Sequence, residues 1–67
     1  MGRVRRGGYI FEWWIGDHDP RHVHVSEQNG EFLGRVNLTT LQALEESWTP
    51  SRKVIKLIEE LRDEGRL

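Results

Sequence analysis

All three histidines of the chain fall within seven residues, in Asp17-His18-Asp19-Pro20-Arg21-His22-Val23-His24-Val25, with two carboxylates beside them. On an extended strand His22 and His24 point to the same side, with Cα atoms about 6.5 to 7 Å apart, so both can act on one small object. Imidazole titrates near neutrality, and two of them can divide the roles of general base and general acid. On a phosphodiester, that chemistry needs a cation for the charge that builds up in the transition state and a polar group to orient the substrate. Arg35 and Asn37 are the candidates for those roles, with Trp14 or Tyr9 to stack an unpaired base and Arg5 and Arg6 to steer the backbone. This reading is a metal-independent endoribonuclease acting on single-stranded RNA, with no cofactor. A second reading uses the same rings as metal ligands. His22 and His24 would meet a tetrahedral Zn²⁺, with His18 or Asp17 as a third ligand and a fourth position open. A third reading is a non-catalytic interaction module in which an exposed Trp14, with the sheet edge or the helix, holds a partner protein. The same residue types also make up an ordinary polar sheet face.

The elements that would position these side chains can be read from periodicity. Tyr9-Ile10-Phe11-Glu12-Trp13-Trp14-Ile15 is rich in aromatic and β-branched residues and reads as a strand. Its alternation sets Tyr9, Phe11, Trp13 and Ile15 toward a core and Glu12 and Trp14 toward the histidine side. Gly16 to Pro20 reads as a turn, since Pro20 fixes its own φ and moves Asp19 out of the helical region. His22-Val23-His24-Val25-Ser26 alternates polar and apolar residues, as a half-buried strand does. Asn29-Gly30 then predicts a two-residue type I′ hairpin turn. That turn pairs Ser26 with Leu33, Val25 with Gly34, His24 with Arg35, Val23 with Val36 and His22 with Asn37. Val23, Val25, Phe32, Gly34, Val36 and Leu38 form the buried side in this register, and His22, His24, Arg35 and Asn37 share the other.

Residues 40 to 46 fit a short helix, with Thr39 and Gln42 at capping-box spacing, and fit an extended segment equally well. The last element is clearer. Thr49 as N-cap, Pro50 at the first helical position and Gly65 past the end bracket a helix with Val54, Leu57, Ile58 and Leu61 on one face. Trp48 is expected to lie over its start. Residues 1 to 8, with Arg3, Arg5 and Arg6 followed by two glycines, read as a flexible basic arm. The expected organisation is therefore the arm followed by a single α+β domain over residues 9 to 67. That domain is a small antiparallel three-stranded sheet with the C-terminal amphipathic helix packed on one face.

At 67 residues, with 36% hydrophobic and 31% charged residues, the chain has room for one small core. It contains no apolar run long enough to span a membrane. The absence of cysteine excludes disulfides and cysteine-ligated metal. A domain this small is often supplemented by metal or association, so a protein partner or homo-oligomer is expected. The first eight residues lack the hydrophobic stretch of a signal peptide, which predicts a cytoplasmic location. The net charge of −1 gives no global signature of a nucleic-acid binder.

The run from Asp17 to Val25 is followed by a hairpin containing Gly30, a Thr40-Leu41 stretch and a proline-started helix. It resembles a family of short bacterial proteins known as domain of unknown function (DUF) 4160, whose segment reads Asp-His-x-Pro-x-His-x-His. Arg21 stands where the family commonly has a second proline. The resemblance runs from Tyr9 to Arg62 and implies His18, His22 and His24 as site residues. It also implies a member of a toxin-antitoxin-like pair that acts on RNA or on a partner protein.

Overall fold

The structure, a computed structural model, describes residues 2–14 and 21–67. Four strands, β1 (Gly2–Arg6), β2 (Tyr9–Trp13), β3 (His22–Glu27) and β4 (Phe32–Asn37), are followed by one helix, α1 (Arg52–Asp63). The strands form a single antiparallel sheet in the order β1-β2-β3-β4. The expected α+β class holds, and the three-stranded sheet is corrected to four. The extra strand is β1, from the segment read as a flexible arm. It pairs along its whole length with β2, from Gly2 opposite Trp13 to Arg6 opposite Tyr9. Gly7 and Gly8 make the turn between them, with φ of 63° and 88°. Positive φ at both central residues is the type I′ geometry, and glycine adopts it without steric cost.

The Asn29-Gly30 hairpin is built differently from expectation. Only Gly30 has positive φ, at 95°. The Gly30 N–H donates to the Glu27 carbonyl and the Glu27 N–H to the Glu31 carbonyl, each at 2.8 Å. The loop thus holds three residues, Gln28 to Gly30, with the glycine in the last, left-handed place. Asn29 uses its side chain instead of a left-handed backbone, its Oδ1 accepting the Glu31 N–H at 2.9 Å. The longer loop shifts the pairing next to it by one residue, so Ser26 faces Phe32 and not Leu33. An irregularity between Val25 and Ser26 then restores the expected register, Val25–Gly34, His24–Arg35, Val23–Val36 and His22–Asn37. Phe32 is the residue this displaces. Expected in the core, it is 53% exposed on the opposite face.

The core lies between the sheet and α1. Phe11, Val23, Val25 and Val36 meet Val54, Leu57, Ile58 and Leu61, all buried, with Tyr9, Trp13 and Trp48 packed at the margin. The helix N-cap is Ser51 and not Thr49, because the Ser51 Oγ accepts the Val54 N–H at 3.2 Å. At the other end the N–H groups of Gly65 and Arg66 reach the carbonyls of Arg62 and Leu61, closing the helix with a Schellman motif. Residues 40 to 46 form no helix, and of the extended alternative only the bridge at Ala43 is present, within a segment of turns and bends that includes Leu41 at φ 62°. Ala43 bridges Val36, and the Asn37 and Leu44 N–H groups donate to Gln42 and Arg35 carbonyls at 2.8 and 2.9 Å. No helix among the described residues is long and apolar enough to cross a membrane.

Candidate functional site

α1 covers one face of the sheet, and among the described residues no helix or strand covers the other, the open face; strand alternation decides what it carries. One row crosses all four strands: Arg3 opposite Glu12, Glu12 opposite His24, and His24 opposite Arg35. A second row runs Arg5, Ile10, Ser26 and Phe32. Ile10 is buried within it at 4% exposure, apart from the core beneath the helix. His22 lies next to His24 on the same face, opposite Asn37.

The rings on this face form a continuous group. Trp14 meets His24 edge-on at 4.5 Å between ring centroids, His22 stands 5.1 Å from His24, and Phe32 stands 6.0 Å on its other side. Trp14 is 41% exposed, and with Phe32 it makes up the exposed large hydrophobic residues among those described. Trp14 and Glu12 do share the histidine side, as alternation along β2 requires.

The cations divide into two groups. Arg6 faces α1, where its Nη1 and Nη2 donate to the two carboxylate oxygens of Glu64 at 2.6 and 2.9 Å, with Glu60 at 3.7 Å. That fork ties β1 to the end of the helix and takes Arg6 away from the face where a steering role was expected. The hydrogen bonds from Arg6 hold the Glu64 carboxyl below the usual carboxylate range. Arg35 is on the open face, yet Glu45 grips it twice. Its backbone N–H donates to one carboxylate oxygen at 2.8 Å and its Nε to the other at 2.6 Å. Burial alone would raise the Glu45 pKa, but the hydrogen bonds and charge of Arg35 outweigh it and lower the value. Arg3 and Arg5 are exposed, and the Arg3 Nε stands 4.0 Å from the Glu12 carboxylate.

Asn37 is similarly engaged. Its Oδ1 accepts the N–H groups of Thr39 and Thr40 at 2.7 and 3.1 Å, capping the turn that leaves β4. Of the suggested metal ligands, His22 and His24 are adjacent, while Asp17 and His18 lie outside the described residues, as does the turn expected at Gly16 to Pro20. Among the described residues no group of three or more histidine or acidic side chains is placed to hold a metal ion.

Three contributors to the face escaped the sequence reading. The sequence pattern points Phe32 into the core and Arg3 into a flexible arm, and offers no role for Glu45. The Gly7-Gly8 pair was the available signal for Arg3, since a double glycine between two extended runs marks a hairpin. For Glu45 there was none, because its partner lies ten residues away across an irregular segment.

The chain belongs to the family DUF4160, a domain of unknown function, whose model matches residues 8–66. Neither a curated protein nor a solved structure matches it.

Proposed function

We propose that the open face of the sheet binds single-stranded RNA, with Trp14, His24 and Phe32 stacking bases and Arg3 and Arg5 meeting phosphates. The observation that carries this reading is the placement of the exposed Trp14 and Phe32 on either side of His24, on the one face the helix leaves uncovered. Flat rings at that spacing offer stacking surface to successive bases, and stacking tolerates any sequence because every base has a π-face. The family resemblance implies a toxin-antitoxin-like pair, and that paired setting is part of the same proposal. Binding is favoured over cleavage because Arg35, the cation meant for the transition state, is already matched by Glu45.

The test is fluorescence anisotropy of a labelled oligouridylate. Trp14→Ala and Phe32→Ala should each weaken binding about 5- to 150-fold, the equivalent of about 1 to 3 kcal/mol per stacked base. Lys56→Ala, on the exposed side of α1, should leave it unchanged. With two phosphate contacts, from Arg3 and Arg5, log affinity should fall against log salt with a slope of about −1.4. Absence of binding at low salt, or equal binding by all variants, refutes the proposal. Incubation of the same RNA in EDTA decides whether His22 and His24 add acid-base chemistry. Cleavage lost in both His22→Ala and His24→Ala would show that they do.

A further inference from the structure

The sheet has two edges, and the chain treats them differently. Beyond β4, residues 42 to 44 lie along the strand, with the Ala43–Val36 bridge and hydrogen bonds from Asn37 and Leu44 closing that side. Beyond β1 nothing comparable exists among the described residues, since β1 pairs with β2 alone. An edge strand left in this state presents a row of backbone donors and acceptors ready for another strand. We infer that β1 is a docking edge for an extended segment of a partner protein that alternates acidic and apolar residues.

The side chains of β1 select that occupant. Arg3 and Arg5 alternate on the open face and are exposed, Arg3 with 65% of its side chain accessible. Val4, between them, points to the helix side at the margin of the core. An added strand places its residues about 4.5 to 5.5 Å from these, Cβ to Cβ. Two carboxylates, two residues apart, would face Arg3 and Arg5, and the residue between them would extend the apolar surface beside Val4. A second copy of this chain is disfavoured by the same geometry. Antiparallel pairing of two β1 strands about Val4 sets Arg3 of one against Arg5 of the other, twice, and like charges directly opposite are destabilising. The arginines thus guard the edge against self-association while leaving it complementary to an acidic strand. The inference is separable from RNA binding, because strand pairing engages the β1 backbone groups that RNA stacked on the rings would not, although the same Arg3 and Arg5 side chains serve both readings.

The experiment is amide hydrogen exchange of the whole chain with a blocked peptide of alternating glutamate and valine, beside a peptide with lysine in place of glutamate. The glutamate peptide should slow exchange at Gly2–Arg6 and leave β4 unchanged, and the lysine peptide should do neither. The double variant Arg3→Glu/Arg5→Glu should lose about tenfold in affinity for the glutamate peptide and gain about as much for the lysine peptide. The gain arm requires a folded protein, so a loss through unfolding is distinguishable. Four results would overturn the inference: unprotected β1 amides, equal protection by both peptides, protection in concentrated protein alone through self-pairing, or equal protection by oligouridylate.

Discussion

Gly34 lies in the middle of β4, buried, with Trp48 against it. A Cβ added there would strike the indole at Cε3 and approach Cζ3 and Cδ2 to 3.0 and 3.1 Å. Carbon atoms in contact prefer about 3.5 to 4.0 Å, so in Gly34→Ala the ring must retreat by roughly 1 Å or the strand must bend. Trp48 packs on the core, and that retreat opens a gap beneath it. Overpacking of this kind costs about 1 to 3 kcal/mol. Replacing glycine in a strand returns only about 0.5 to 1 kcal/mol of backbone entropy, so the clash wins. A domain of this length has about 3 to 10 kcal/mol to lose. At about 2 kcal/mol the thermal midpoint should drop by roughly 8 to 16 °C. Urea unfolding gives the free energy directly, and the Trp48→Leu background isolates its origin. With the indole gone, the added methyl should cost little, leaving a coupling energy above about 1 kcal/mol between the two positions. An unchanged midpoint for Gly34→Ala, or the same cost in both backgrounds, would refute the assignment of Gly34 to the space demanded by Trp48.

Two further outcomes follow from the termini of α1. Glu64 has its pKa lowered in the folded state by hydrogen bonds from Arg6, so the pair contributes stability above the ordinary carboxylate range and loses it as pH falls through the depressed value. Glu64→Gln should therefore be less stable than wild type near neutrality, equal to it in strong acid, and closer to it in high salt, as read by urea midpoints across pH. Ser51→Ala removes the side chain that accepts the Val54 N–H and should cost about 1 kcal/mol, measured the same way.

What could be read from the sequence was whatever burial enforces. A slip of one residue in the body of the β3–β4 hairpin would turn Val23, Val25 and Val36 to solvent, so their register was legible. Phe32 was misplaced because the loop holds three residues and shifts the pairing next to it. Strand β1 was hidden because it contributes little to the core, with Val4 only at its margin. Pairing with β2, the Gly7-Gly8 turn and the Arg6–Glu64 fork hold it instead. That ion pair joins residues 58 apart, a separation that no local pattern reveals. At the helix start, Thr49 and Ser51 both suit an N-cap, and only the direction of the Ser51 side chain separates them.

Which residues the fold consumes also bears on what the open face can do. Six of the polar residues singled out as chemical candidates lie among the described residues, and three already satisfy the fold: Arg6 binds Glu64 away from the face, Arg35 binds Glu45, and Asn37 caps the turn after β4. For the two arginines the engagement lowers the capacity to meet a phosphate, since a second anion must compete with a carboxylate held in place, and for Asn37 it fixes the orientation of the amide. The imidazoles of His22 and His24 remain on the face, flanked by Trp14 and Phe32. In a chain of net charge −1, two exposed arginines supply a modest electrostatic attraction, so most of the affinity for a single strand has to come from the rings. Weak salt dependence joined to strong sensitivity at Trp14 and Phe32 is therefore the signature that separates this surface from a generic basic patch, in which the salt slope would be steep and ring truncation nearly silent.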